Sequence, residues 1–326
     1  MTTLYLDRKG LELRPDGAAL ALYEGGSRVR SVPLALIERV VIRAETTLTS
    51  GVLGAIAEAG VSIAILSSRQ GRRIATVTGR PHNDARIRLS QYASSQLPQF
   101  RLNWAKRFIE MKITHQIAFL VHALEERADL RKPITDTLTT LRPLSARCNG
   151  VVADSAELLG IEGAAQAAYF RAYKTLFAES LAFTGRNRRP PRDPVNACLS
   201  LGYTLLHFEA VRAAYAAGLD PFIGFFHETA FGRESLACDI IEPLRIKVDA
   251  WVWELFRSRA LRAEHFHQDK GACVLDKAGR AHFYERYETF LRPAGRSLHH
   301  YCRILVHALL DGAPHVRKNG IEDEES

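Results

Sequence analysis

The sequence predicts an α+β fold, a small β-rich N-terminal domain followed by a large all-α domain, and three observations carry that reading. Before about residue 80 the apolar runs are short and rich in β-branched residues. The segment TGRPHND at 78–84 then interrupts any regular ladder. Beyond it, apolar residues recur every three to four positions. In the first part, residues 3–6, 11–13, 19–23, 39–42, 61–66 and 73–77 read as six short strands, with RPDG at 14–17 and GGS at 25–27 as turns. One helix interrupts them over 50–59: Thr49 or Ser50 is the N-cap, Val52, Leu53 and Ile56 share a face, and Gly60 lies just past the end. After the break the series Leu102, Ala105, Phe108, Ile109 and Ile113 is typical, so the rest reads as almost entirely helical. The expected units are residues 1–82, 83–316 and an acidic, mobile tail at 317–326.

With 326 residues, 47% apolar and 25% charged, the chain excludes disorder over most of its length and any fibrous architecture. The net charge of +8 favours an anionic partner, and it is spread, with a net +5 in residues 1–100 and +3 in 101–326. Cysteines at 148, 198, 238, 273 and 302 are odd in number and far apart. They read as free thiols in a reducing compartment, the cytoplasm. The opening MTTLYLDRKG carries charges where a signal peptide needs apolar residues, and no run of 18 apolar residues occurs, so no membrane association is expected.

Three constellations in the helical part carry chemistry. In LLGIEGAA at 158–165 a glutamate sits between two glycines, and a helix starting near Ile161 would place Glu162, Ala165, Tyr169 and Tyr173 on one face. Two readings are open for Glu162: the head of a site-facing stripe, or a first-turn carboxylate complementing the helix dipole. In DPFIGFFHE at 220–228, His227 ends an aromatic run before the loop 229–234, where it is either a hydrogen-bonded core residue or a ligand held by packing. In SLACDIIEPLR at 235–245, Asp239 and Glu242 are three apart. They share a face if a helix begins near Ser235, whereas Pro243 argues that the regular helix begins near it with a tight turn ahead, and either geometry can point both carboxylates the same way.

Two or three carboxylates with one imidazole form a ligand set suited to Mg²⁺ or Mn²⁺, the histidine favouring the latter. Such an ion can activate an oxygen nucleophile and neutralise a phosphodiester in transition. The loop GRNRRPPRDP at 185–194 adds Arg186, Arg188, Arg189 and Arg192, either phosphate contacts or a solvated basic loop.

These stretches resemble the CRISPR-associated integrase family, metal-dependent DNA nucleases that insert new spacers into CRISPR arrays. The resemblance covers nearly the whole chain. It runs through TLYLDRKGLELRPDGAALAL near the start, SGVLGAIAEAGVSIAILS at 50–67, LLGIEGAAQAAYF at 158–170, DPVNACLSLGYTLL at 193–206, and GLDPFIGFFHE with SLACDIIEPLR between 218 and 245. It implies that Glu162, His227 and Glu242 are the catalytic metal ligands, for Mn²⁺ or Mg²⁺. Asp239 would support the metal or the histidine, and Arg245 joins Arg186, Arg188, Arg189 and Arg192 as expected DNA contacts. It further implies a homodimer whose β-rich domain makes dimer and partner contacts, assembly with a small CRISPR-associated partner protein, and double-stranded DNA, spacer precursor and repeat, as substrate. Two other functions stay open on the residues themselves: a DNA-binding scaffold with a structural acidic cluster, and a metal-dependent hydrolase of small phosphate esters.

Overall fold

Two four-stranded sheets and one helix build the N-terminal part of the computed structural model, which describes residues 2–67, 73–79, 82–187 and 190–311. The chain passes through β1 (Thr2–Leu6), β2 (Leu11–Asp16), β3 (Ala19–Glu24), β4 (Ser27–Pro33), β5 (Ile37–Ile42), β6 (Thr46–Leu48), α1 (Ser50–Glu58), β7 (Ser62–Leu66) and β8 (Arg73–Val77). One sheet has the order β1-β5-β7-β8, with β1, β5 and β7 parallel and β8 antiparallel at its edge. The other has the order β4-β3-β2-β6. Six of these strands match the apolar runs of the sequence, and β4 and β6 are additional. Neither carries an apolar run, because β4 is a largely exposed edge strand with two arginines and β6 is only three residues long.

The expected turn at RPDG is also displaced. Arg14, Pro15 and Asp16 belong to β2, and the chain reverses after them at Gly17, whose φ is +57°. Pro15 is accommodated because β6 pairs only with Leu11, Glu12 and Leu13, leaving that end of β2 an edge. Thr49 caps α1 as expected, its hydroxyl accepting from Val52 N, and Gly60 follows the helix with φ +69°.

The first sheet is a wall between two cores. Val40, Ile42 and Ile63 face a small core completed by Leu13, Leu20 and Ile56, whereas Val41, Ala64 and Leu66 join the large helical core. This period-two partition explains why β5 reads as an unbroken apolar run, since both of its faces are covered.

The remainder is α2 (Ala85–Ser95), α3 (Pro98–Glu126), α4 (Arg131–Asn149), α5 (Ser155–Tyr173), α6 (Pro194–Ala216), α7 (Ser235–Arg257), a hairpin of β9 (Phe266–Asp269) and β10 (Ala272–Leu275), and α8 (Lys277–Asp311). The hairpin is the departure from an all-helical reading. Its four-residue strands are too short to interrupt the helical periodicity visibly. Acidic caps start three of the helices, with Asp84, Asp154 and Asp193 accepting backbone N–H groups in their first turns. The boundary expected near residue 82 adjoins Arg80 and Pro81, which, like the tail from 317 to 326, lie outside the described residues. Among the described residues no helix is long and apolar enough to cross a membrane.

A buried ionic cluster fastens the first sheet to α6 and α8. Arg39 of β5, 5% exposed, meets Glu209 at 3.3 Å and Glu288 at 3.1 Å. Beside it the Tyr5 ring stacks on Tyr284 at 4.0 Å, and its hydroxyl donates to Glu288 Oε1 at 2.7 Å. Removing one member of such a cluster strands the others in a low dielectric. Arg39→Met is therefore expected to destabilise the fold by roughly 3–5 kcal/mol. The urea midpoint measures this, and Arg39→Met combined with Glu209→Gln should recover part of the loss.

Candidate active site

Four helices and one loop converge at the acidic residues. α3 packs against both α5 and α7, and α6 lies against α7. Between α6, α7 and the loop 217–234 is a cleft of about 820 Å³, whose lining includes His227, Glu242, Arg245, Arg186, His207 and Arg233.

α7 supplies most of the polar side chains. It runs unbroken from Ser235 to Arg257 through Pro243, so the helix does not begin near the proline as the sequence suggested. Pro243 is buried in the packed interior, and its carbonyl accepts from His115 Nδ1 of α3 at 2.7 Å, so tertiary contacts override the proline's preference. Asp239, Glu242, Arg245 and Asp249 then fall along one stripe of the helix.

Asp239 is fully buried and organises the loop. Its Oδ2 accepts from the backbone N–H groups of Phe225 at 2.6 Å and Phe226 at 3.0 Å, and its Oδ1 from His227 N at 2.9 Å. Gly224 permits this approach, since a Cβ there would lie 2.7 Å from Asp239 Oδ2. The same Oδ1 contacts His227 Nδ1 at 2.7 Å. A carboxylate can only accept, so Nδ1 carries the proton and the lone pair of the neutral ring is on Nε2, the nitrogen that remains for a ligand. Asp239 is thereby a support for the histidine.

Glu162 and Glu242 meet at a residue the sequence reading overlooked. The Lys112 ammonium of α3 donates to Glu162 Oε1 at 2.5 Å and to Glu242 Oε2 at 2.7 Å, while Arg245 Nε donates to Glu242 Oε1 at 2.8 Å. Burial would raise the Glu242 carboxyl. Arg245 and Lys112 overcome this and hold it far below the usual carboxylate range, with His227 adding to the effect. Burial likewise acts to lower the Lys112 ammonium, and its two glutamates reverse the sign and raise it. Lys112 falls in register with Phe108 and Ala105 on the apolar stripe of α3, and a lysine at a core position was the signal available in the sequence.

Glu162 itself is not in a first turn. α5 begins at Ser155 behind the cap Asp154, which places Glu162 in the third turn, at the edge of a buried stripe that includes Ile161, Ala165, Tyr169 and Tyr173. The helix-dipole reading therefore fails, and the shared-face reading holds. A Cβ at Gly160 or Gly163 would meet open space, so the glycines are not required by packing.

The expected basic loop is only partly a free surface. Arg186 is half-buried, donating to Asn196 Oδ1 at 2.8 Å and Ser200 Oγ at 3.1 Å, and Arg192 is exposed. Arg188 and Arg189 lie outside the described residues. Arg186 and Arg245 both sit over the Tyr203 ring, at 5.5 and 5.0 Å. The Tyr203 hydroxyl donates to Asp249 beneath them.

A divalent cation is compatible with this donor set. Glu162 Oε1 and Glu242 Oε2 already converge on one cation, the Lys112 ammonium, at 2.5 and 2.7 Å, and the His227 ring is held through Nδ1 by a carboxylate, which leaves Nε2 for an ion. Glu162, His227 and Glu242 do not form a closed cage. Among the described residues no group of three or more His, Cys, Asp or Glu side chains has metal-holding geometry.

Residues 4–289 match the family described as CRISPR associated protein Cas1. The chain belongs to the Cas1 family. A CRISPR-associated endonuclease Cas1 of Thermodesulfovibrio yellowstonii is 38% identical over 294 residues, covering 90% of this Cas1 chain and 92% of its own. One from Thermus thermophilus is 34% identical over 286 residues, covering 87% and 81%. The fold is that of a CAS1 protein from Thermotoga maritima, with a TM-score of 0.80 at 24% identity over 98% of this chain and 100% of the other. A casposase bound to integration product superposes with a TM-score of 0.82 at 24% identity over 100% and 96%.

Two outcomes follow for this Cas1 site. Replacing Asp239 by Ala strands three backbone N–H groups and should destabilise the fold by roughly 3 kcal/mol or more, read from the urea midpoint. Burial pushes Asp249 up to about 6 against the opposing pull of Tyr203. Because this lies above the unfolded value of ~3.9, the native state takes up the proton first, and stability rises as pH falls from 7 toward 4, by up to about 3 kcal/mol. Asp249→Asn should lack that rise when unfolding is followed across this range.

Proposed function

We propose that this Cas1 protein, a DNA endonuclease and integrase of CRISPR spacer acquisition, works through a divalent cation, Mn²⁺ or Mg²⁺, held by Glu162, His227 and Glu242. The observation that carries the assignment is the convergence of two carboxylates from different helices on one cation, beside a histidine whose tautomer Asp239 sets. When bound, the cation supplies Lewis-acid chemistry at the scissile phosphodiester, favouring in-line attack by a DNA 3′-hydroxyl, or by water for simple nicking.

The chain's own residues do the rest. Asp239 keeps Nε2 of His227 available for the ion and holds the ring against rotation. Arg245 fixes the Glu242 carboxylate by occupying one of its oxygens. Arg186, Arg192 and Arg245 offer positive charge to the DNA backbone at and around the cleft, Arg186 and Arg245 braced on Tyr203. The histidine ligand favours Mn²⁺ among the two ions.

The wider assembly belongs to the same reading. Residues 1–82 serve dimer and partner contacts, residues 83–316 hold the chemistry, and the homodimer joins a small CRISPR-associated partner on double-stranded spacer precursor and repeat DNA. Among fold relatives, one solved structure is a Cas6-RT-Cas1 and Cas2 complex and another is a casposase bound to integration product. The five free cysteines, four of them buried, suit a reducing cytoplasm.

Strand transfer of a short duplex into supercoiled repeat DNA tests the assignment. Glu162→Ala, His227→Ala and Glu242→Ala should each lose more than about 100-fold, since changing even an outer partner of a metal ligand costs 10–100-fold. Wild-type rates in all three with Mn²⁺ present would overturn it. Salt-dependent DNA binding that survives chelation, without nicking under any metal, would instead favour the scaffold, and hydrolysis of nitrophenyl phosphate without DNA nicking the small phosphoesterase.

A further inference from the structure

The Lys112 ammonium occupies the point on which the two glutamates converge. At 2.5 Å from Glu162 Oε1 and 2.7 Å from Glu242 Oε2, it is hydrogen-bonded to both carboxylates at once. Its side chain is 4% exposed, and it stands on α3 among the buried residues Phe108, Ile109 and Ile113. This is a cation built into the interior rather than a surface lysine folded inward. Glu242 presents its other oxygen, Oε1, to Arg245. The two carboxylates are thus balanced by two cations from the same chain.

We propose that Lys112 is the resident counter-ion of the Glu162–Glu242 pair and that a divalent cation enters the site by displacing it. The proposal rests on the metal reading above and adds the residue that sets how tightly the ion is held. Two cations cannot share the point between these oxygens, because each would sit within about 3 Å of the other in a region of low dielectric. The lysine can leave. Its head is a compact charge on a flexible four-carbon stem, unlike the planar fork of Arg245, which stays braced over Tyr203.

The exchange has two consequences. Metal affinity is a competition, weaker than three ligands alone would give. The metal-free cleft is also not a bare anionic patch. With Lys112 and Arg245 in place the glutamates are neutralised, so a DNA backbone can approach the arginine-lined cleft before any ion arrives.

Mn²⁺ binding to the metal-free, full-length protein tests this without reference to activity, by loss of the free-ion signal in electron paramagnetic resonance. Lys112→Met and Lys112→Gln should bind Mn²⁺ about 10-fold or more tightly than the wild type, because one competing charge is gone. In EDTA, fluorescence anisotropy should show that the wild type binds duplex DNA and that both variants bind it more weakly, with the gap closing when Mn²⁺ is added. Unchanged or weaker Mn²⁺ binding in the variants would overturn the proposal. Should neither variant fold without metal, refolding in Mn²⁺ must restore a cooperative thermal transition, and failure to do so would also overturn it. Glu162→Gln and Glu242→Gln separate the two levels: if neither weakens Mn²⁺ binding by the wild-type background, no ion sits at this pair and the metal reading itself falls.

Discussion

Charge buried in a helical interior must be matched group by group, and the geometry of this molecule around its cleft follows from that constraint. Asp239 has no contact with solvent, and it is tolerated because three backbone N–H groups and one imidazole N–H converge on its two oxygens. The same matching shapes the chain: the loop from Pro221 to His227 has to wrap the carboxylate, and Gly224 has to lack a side chain for the wrap to close. A histidine positioned in this way has little rotational freedom left. The order needed for a ligand is therefore a by-product of satisfying a buried acid.

The fold distributes its charges so that no single element could satisfy them alone. Lys112 comes from α3, Glu162 from α5, and Glu242 and Arg245 from α7, so the pairings tie three helices whose apolar faces would otherwise fix only an approximate orientation. The Arg39 cluster does the same between the first sheet and α6 and α8. Apolar packing supplies most of the driving force for association of these layers. The ionic clusters add pairings between fixed partners on different elements.

How much of this was legible in the sequence depended on whether a residue's neighbours were local. The switch of apolar period, the cap at Thr49 and the shared face of Glu162, Ala165 and Tyr169 are properties of short segments, and all of them hold. β4 was hidden because it is an exposed edge with no apolar run, and β9 and β10 because they are short. Pro243 misled for a related reason: intrinsic preference pointed to a helix start, whereas a buried position and the contact with His115 hold the helix through it. Lys112 was hidden most completely. Its partners lie 50 and 130 residues away, and in the sequence it shows only as a polar interruption of an apolar stripe.

α7 makes the site precise rather than merely present. Asp239, Glu242, Arg245 and Asp249 are spaced by three, three and four residues, so one helical stripe carries the loop anchor, the shared carboxylate, its guanidinium brace and the acid beneath Tyr203. Because α7 is packed by α3 on one side and α6 on another, these four groups cannot move independently. A loop could bring the same residue types together, but each would carry its own torsional freedom, and an error of about 1 Å is enough to spoil an in-line geometry. The proline in the middle of this stripe belongs to the same logic. A helix whose interior lacks one backbone donor is held by its neighbours, and one of them, α3, delivers the cation to the two carboxylates.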